Sequence, residues 1–487
     1  MPQARALNQL VLMSDEHNPK VAGYAGHAVA RTPQLDALAA RGTVFTAAYT
    51  TSPVCIPARA GFACGKYIHQ VGYWDNADAY DGAVPSWHHV LRSRGHRVVS
   101  IGKLHFRREG EDHGFSEEQI PMHIYEGKGD LLGLVREALP RRGGSRKMAA
   151  MAGPGETPYT LYDRQICSRA QVWLREQGTR DTGRPWALFV SFVAPHFPLT
   201  APPEHFYRYW NGPLPMPKLY APEERPRHPY LEDYRASFCY DEYFDSEQSV
   251  RRATAGYFGL VSYVDELIGK VLETLAETGL AASTRVMYTS DHGDNLGARG
   301  LWGKSTLYEE VAGVPLIIAG PGVPEGKRVT TPASHVDCFP TILETAGVAF
   351  EEVSDGHPGC PLLDLARGAR PARSVLSEYH GMGSTTGAFA LRTGRYKYVH
   401  YVKYPPQLFD LEADPEERED LAARPRHAPA LEDCRRKLLA LLDPVEVDRR
   451  AKRRQAALLE AAGGREAVIR RGDFGFTPAP GFPADFQ

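Results

Sequence analysis

The sequence predicts an α/β chain followed by a small α+β region built on an antiparallel sheet. Short apolar runs at Gln9–Met13, Arg97–Ile101, Trp186–Phe192, Arg285–Thr289 and Val314–Ile318 have the length and composition of buried strands. Helical stretches lie between them: Thr32–Gly42, Pro85–Arg94, Tyr159–Glu176 and Arg252–Thr278, the last with Tyr257, Leu260, Val264, Leu267 and Val271 on one stripe. Beyond Gly347 the texture changes to short strands and turns (Ser374–Ser377, Gly387–Arg392, Tyr396–Tyr401), with a helix near Pro429–Leu442. The expected division is a first domain over residues 1–370 and a C-terminal subdomain over 371–487.

Composition narrows the function. The 487 residues exceed one ordinary core. A net charge of −2 gives no basic face of the kind nucleic acid needs. Met1–Arg5 lead into a short apolar run broken by Asp15, Glu16 and His17, which is neither a signal peptide nor a membrane span. The seven Cys are scattered, odd in number and without zinc-ligand spacing. The expectation is a reduced, cytoplasmic protein without a disulfide framework, a nucleic-acid partner or a membrane partner.

Taken in order, the strand ends carry the chemistry. Asp15 follows the first strand, where ligands of open α/β sheets gather; the bland alternative is a cap or a turn. Thr51-Ser52-Pro53-Val54-Cys55-Ile56-Pro57-Ala58-Arg59 reads as a strand end, a turn and a helix start, because Pro57 suits a first helical turn. Cys55 then sits at a helix N-terminus that favours an anion, and the planar fork of Arg59 suits an oxyanion or a carboxylate. By itself Cys55 is either a low-pKa nucleophile or a small buried residue. Asn76, in the turn Tyr73-Trp74-Asp75-Asn76, reads first as a turn former. Lys103 and His105, at i and i+2 past a strand, point to one face and are either site residues or solvated.

Pro140–Lys147 reads as a solvated basic loop, with part of a lid or a subunit contact as the alternative, and residues 107–158 otherwise give little signal. His196 stands between Pro195 and Pro198 on a turn, as a core histidine or a site residue. Residues 200–250 read as a long surface excursion at a pocket mouth. Asp291 and His292 end the strand before them; their O and N donors suit Ca²⁺ or Mn²⁺, against a capped turn. Glu378–Gly381 reads as a surface loop, with the alternative of a carboxylate over the site. The tail Gly472–Gln487, with four Phe and three Pro, is too apolar for a free end. It is expected to dock on this subunit or a neighbour, which points to a homo-oligomer.

Cys-x-Pro-x-Arg at residues 55–59 resembles the signature of the type I sulfatases of the alkaline phosphatase superfamily. Gly102-Lys103-Leu104-His105, Pro195-His196-Phe197-Pro198 and Asp291-His292 followed by Lys304 resemble three further motifs, in family order, and the likeness spans roughly residues 8–425. Asp75-Asn76 and Asp291-His292 resemble the choline sulfatase and phosphonate monoester hydrolase branch. Many sulfatases carry two adjacent Asp where this chain has Asp15-Glu16. Glu16 therefore stands as a longer-armed ligand, a supporting group, or neither.

The resemblance implies an alkaline phosphatase-like sandwich, with a large mixed sheet between helices and a small C-terminal antiparallel sheet. It implies that Cys55 is oxidised to formylglycine by a formylglycine-generating enzyme or an equivalent maturase. One divalent cation, Ca²⁺ or Mn²⁺, would be held by Asp15, Asp291, His292 and the group made from Cys55. Arg59 would hold the nucleophile, and Lys103, Lys304 and Asn76 the sulfate oxygens. His196 would assist the departing alcohol, and His105 would act as a base that regenerates the aldehyde. The implied activity is hydrolysis of a small-molecule sulfate ester. The alternatives are a phosphonate monoester or phosphodiester hydrolase with the same machinery, and a non-catalytic oxyanion-binding protein.

Overall fold

The structure, a computed structural model, describes residues 6–178, 180, 183–354, 356–369 and 373–486. Met1–Arg5 and the expected boundary at 370/371 lie outside the described residues.

The large sheet has eight strands: β1 (Asn8–Asp15), β2 (Gly42–Phe45), β3 (Arg97–Lys103), β4 (Glu117–Met122), β5 (Trp186–Pro195), β6 (Thr284–Ser290), β7 (Leu316–Ala319) and β8 (Lys327–Val329). Their spatial order is β8-β2-β7-β6-β1-β5-β3-β4. β7 runs against both its neighbours, and the other pairings are parallel, so the sheet is mixed as expected.

Why the strands read as unbroken apolar runs is visible in β1. Leu10 and Leu12 pack into one core, while Val11 and Met13 pack into another on the opposite face. Alternate side chains of a strand point to opposite faces, so a strand covered on both sides needs apolar residues at every position. One face is covered by α1 (Pro33–Ala40), α3 (Pro158–Gly178) and α4 (Glu247–Glu277), the other by α2 (Cys55–Cys64) and the helices Trp87–Ser93 and Cys338–Thr345. Because β1, β3, β5 and β6 are parallel, their carboxyl ends open on one side of the sheet.

A second sheet holds β9 (Ser374–Tyr379), β10 (Ala388–Thr393), β11 (Tyr396–Tyr401) and β12 (Gln407–Asp410), antiparallel and in sequence order. Glu378 N–H donates to the Thr51 carbonyl at 2.9 Å, which ties β9 to the segment before Cys55. Buried charges make a second tie. Lys397 of β11 pairs with Glu309 at 2.9 Å and with Glu417, and Arg299 Nη2 donates to the Glu416 carbonyl at 2.8 Å. The chain ends in α5 (Ala428–Leu441), α6 (Pro444–Ala461) and the helix Gly464–Arg471. Among the described residues no helix is long and apolar enough to cross a membrane.

Several expectations are corrected. Pro140–Lys147 is not a solvated loop: Gly144–Ala150 is a helix, Ser145 and Lys147 are buried, and Arg142 is held by Asp130 and Asp473. Local charge misled because the partners are distant in sequence. The silent stretch 107–158 supplies the edge strand β4. The excursion 200–250 contains two helices, Pro203–Trp210 and Pro229–Phe238, with Tyr230, Leu231 and Tyr234 buried. Glu378 is not on a surface loop; it is buried in β9 and meets His69 Nδ1 at 2.7 Å. The tail docks on its own chain, with Phe476 packed between Tyr159 and Phe197. It therefore gives no argument for an oligomer.

Leu10 has no exposed surface and touches the larger core. Leu10→Ala is expected to cost ~2–5 kcal/mol, read as a lowered denaturant midpoint. Val172→Ala, at a position 49% exposed, is expected to shift stability by no more than about 0.5 kcal/mol.

Candidate active site

The parallel strand ends bring together residues far apart in sequence. β1 ends at Asp15, β3 at Lys103 and β6 at Ser290, directly before Asp291 and His292. Beneath them α2 begins at Cys55, with Pro57 in its first turn and Val54 in extended conformation before it. Cys55 is 1% exposed. Its Sγ lies 3.0 Å from Lys304 Nζ, 3.2 Å from His292 Nε2 and 3.8 Å from Asp15 Oδ1.

Arg59, one turn into α2, joins the strand ends. Nη2 donates to Asp15 Oδ2 and Nε to Asp291 Oδ2, both at 2.8 Å. Nη1 donates to the Lys103 carbonyl at 2.8 Å and to Ser191 Oγ at 3.0 Å. The fork is thus filled by protein groups; it meets carboxylates, the second of the two partners its shape suits. Lys103 Nζ pairs with the same Asp15 Oδ2 at 2.7 Å.

Asp15, Cys55, Asp291 and His292 offer ligand atoms that all lie within 4.8 Å of one another, and all four residues are buried. The His292 tautomer is set by Nδ1, which donates to the Gly293 carbonyl at 2.8 Å and leaves the Nε2 lone pair turned toward Cys55. Two carboxylate oxygens and an imidazole nitrogen form a hard, mixed donor set, so the residues fit a divalent cation. Glu16 is turned the other way. Its Oε2 lies 3.2 Å from Lys304 Nζ and 3.4 Å from His196 Nε2, and its backbone has φ 67°.

Electrostatics divides these groups. Burial would raise Asp15, but the charges of Lys103 and Arg59 hold it well below the usual carboxylate range. Burial, with Asp15 beside it, pushes Asp291 up. Burial pushes Glu16 up to about 8, against Lys304. Burial, followed by Lys304 and Lys103, holds His196 well below its ordinary value, so the ring is neutral. Burial, followed by Lys103 and Arg59, does the same to His105. Burial, helped by Asp15, pushes the Cys55 thiol up to about 12.

His196 Nδ1 donates to the Phe197 carbonyl at 2.6 Å, which leaves Nε2 to accept from Lys304 Nζ at 2.7 Å. Both ring nitrogens of His105 are buried and, among the described residues, have no hydrogen-bond partner; the ring lines the pocket. Asn76 Oδ1 accepts from Ile56 N–H at 3.2 Å, so its amide hydrogens remain for the pocket. Cys55, Asn76, His105, His196 and Lys304 line one cavity, while Asp15, Arg59, Lys103, Asp291 and His292 pack behind it.

Sequence reasoning placed the excursion 200–250 at the pocket mouth, as found, without naming its residues, and missed the rest of the cavity's outer wall. Arg142 and Asp130 come from the stretch without signal, and Tyr234, Phe238 and Tyr240 from the excursion. Asp473, Phe474, Gly475, Phe476 and Thr477 come from the tail, whose aromatic density was the only usable signal. Tyr159 Oη donates to the Thr477 carbonyl and Gly144 N–H donates to Asp473 at 3.2 Å, which pins the tail there.

Comparisons with known proteins bear on the family and the fold. A family model described as Sulfatase matches residues 8–348, and one described as N-sulphoglucosamine sulphohydrolase, C-terminal, matches residues 297–443. The choline-sulfatase of Rhizobium meliloti (strain 1021) is 35% identical over 431 residues, covering 86% of this chain and 83% of that protein. Arylsulfatase K of Bos taurus is 29% identical over 444 residues, covering 86% and 79%. The crystal structure of the phosphonate monoester hydrolase of Agrobacterium radiobacter superposes with a TM-score of 0.71 at 23% identity, covering 89% and 95%; that likeness is one of fold.

Removing Arg59 would leave two buried carboxylates without their shared cation. Arg59→Met is expected to cost about 3–5 kcal/mol in the denaturant midpoint. A midpoint unchanged from the parent would show that the bridge carries no stability.

Proposed function

The chain belongs to the sulfatase family, hydrolases of sulfate esters, and on that premise we propose that Cys55 is converted to formylglycine and serves as the nucleophile beside a divalent cation. The observation that carries this reading is the surroundings of Cys55: a helix start facing an ammonium, an imidazole and two carboxylates, on the floor of the cavity. A formylglycine-generating enzyme or an equivalent maturase would be needed. Asp15, Asp291 and His292, with the group made from Cys55, would hold Ca²⁺ or Mn²⁺, which neutralises charge on the transferred group when bound. The hydrated aldehyde supplies a hydroxyl nucleophile.

The chain's own side chains do the rest. Arg59 keeps Asp15 and Asp291 at a fixed separation. The amide hydrogens of Asn76 and the ammonium of Lys304 face the cavity and meet sulfate oxygens, with the Lys103 charge behind them. Neutral His196 accepts a hydrogen bond from Lys304, so Lys304 Nζ holds the proton nearest the departing alcohol and His196 orients it. Neutral His105 has a free ring nitrogen to take a proton from the nucleophile's second hydroxyl.

The alcohol would lie against Phe197, Tyr234, Phe238, Tyr240 and Phe476, with Asp130 and Asp473 outnumbering Arg142 at the rim. Aromatic faces with net negative charge favour a small cationic or neutral alcohol. Choline, the alcohol in the name of the Rhizobium relative, meets that description.

Mass analysis of the peptide holding Cys55, in protein from its own cells, is expected to show a loss of about 18 mass units relative to the thiol, a change distinct from ordinary thiol oxidation. An intact thiol overturns the nucleophile. Cys55→Ala is expected to abolish turnover of an aryl sulfate. On paired aryl esters the sulfate should be cleaved faster than the phosphonate; the reverse order would favour the phosphonate hydrolase reading. Phe476→Ala is expected to raise KM roughly tenfold, with kcat within about twofold, because it removes part of the wall that binds the alcohol.

A further inference from the structure

We propose that Gln455, on the C-terminal helix α6, is a positioning residue that sets Asn76 in the site. The inference rests on the reading above, in which Asn76 meets the transferred group.

The turn that carries Asn76 is short and cannot fix itself. Within it, Asp75 Oδ1 accepts from Ala77 N–H at 2.8 Å, and Asp78 N–H donates to the Asp75 carbonyl at 3.2 Å. The other oxygen of Asp75 faces away from the turn. It accepts from Gln455 Nε2 at 2.6 Å. The Gln455 amide is held in turn, because its Oε1 accepts from Arg136 Nη1 at 2.8 Å and its Nε2 also donates to the His380 carbonyl at 2.5 Å. An amide whose two ends are both engaged has one orientation. Gln455 is 1% exposed, Asp75 2% and Arg136 5%, so none of these bonds is exchanged for water without cost.

The neighbours of Gln455 on α6 grip the same turn. Arg454 makes a two-point contact with Asp78, at 3.0 and 2.8 Å. Arg450, one helical turn earlier, lies over the Trp74 ring at 5.5 Å and donates to the His69 carbonyl at 3.1 Å. Arg450 and Arg454, four apart, share a helix face, and Gln455 lies about 100° round from Arg454, toward the core. Together the three side chains hold residues 74, 75 and 78, which bracket Asn76. The Asn76 side chain has one anchor of its own, the bond from Ile56 N–H. That bond needs the turn to stand at a set height above the start of α2; Asp130 N–H holds the Asn76 carbonyl at 2.9 Å on one side, and the grip of α6 holds the turn on the other. A displacement of a fraction of an ångström would turn the amide hydrogens away from the transferred group.

The test is a double-mutant cycle in enzyme shown by mass to be fully converted at Cys55, with an aryl sulfate as substrate. Gln455→Ala is expected to lower kcat roughly tenfold, with KM within about twofold. In the Asn76→Ala background the same change should cost less than about twofold, because the group it positions is gone. Arg454→Ala, at a partly exposed residue, loosens the same turn without a buried gap and should lower kcat in the same direction. Arg449→Ala, outside the grip on the same helix, should leave kcat unchanged. Two results overturn the inference alone: kcat within about twofold of the parent in Gln455→Ala, or an undiminished loss when Asn76 is already Ala. Full activity in Asn76→Ala itself overturns the role of Asn76, and the inference falls with it. If Gln455→Ala does not fold, unchanged kcat in Arg454→Ala overturns the inference.

Discussion

The structure depends on one guanidinium. Arg59 leaves a helix and reaches two carboxylates at the ends of two different strands. Asp15 and Asp291 are both without exposed surface, and as bare neighbours they would repel each other in a medium that screens poorly. With the fork between them they are held at hydrogen-bond distance to a single cation. Lys103 adds a second positive charge on Asp15. The arrangement sets the spacing of the acidic floor, and with it the place where Cys55, His292 and Lys304 converge.

Five strands of the large sheet were legible because they are covered on both faces and so read as unbroken apolar runs; the edge strands β4 and β8, polar and partly exposed, were not. The site was legible at strand ends, where short motifs around Asp15, Cys55, Lys103, His196 and Asp291 keep their local spacing. The outer wall was not. Arg142 looked like part of a solvated basic run because nothing local reveals that Asp130 and Asp473 will neutralise it. Helix α6 went unread although its face against the turn at residue 75 is long-range and specific. Its polar residues, Arg450, Arg454 and Gln455, make that contact, and an apolar pattern search passes over such residues. Arg59 was expected beside an oxyanion or a carboxylate, and only the fold could decide between them.

Division of labour follows the chain. The first three hundred or so residues supply the reacting groups, all of them at the carboxyl side of one sheet. The later segments brace and complete the site: β9 braces the stretch before Cys55, α6 holds the Asn76 turn, and the tail closes an alcohol side whose other wall, Phe197, Tyr234, Phe238 and Tyr240, comes from earlier in the chain. A change of substrate could therefore be made in residues 230–240 and in the tail while the charged floor stays as it is.

The burial of Cys55 also sets an order in time. A side chain 1% exposed beneath a helix start is out of reach of any other enzyme's active site. Yet β1 pairs with β5 and β6, so the floor cannot close before residues 186–195 and 284–290 exist, and Lys304 comes later still. At ribosomal rates the interval between residues 55 and 304 lasts on the order of ten seconds to a minute. The conversion proposed for Cys55 would have to precede closure of the floor, and that interval is the least time open to it. Cells that make this protein faster than they can modify it would then accumulate folded molecules whose thiol is sealed in, beyond later repair.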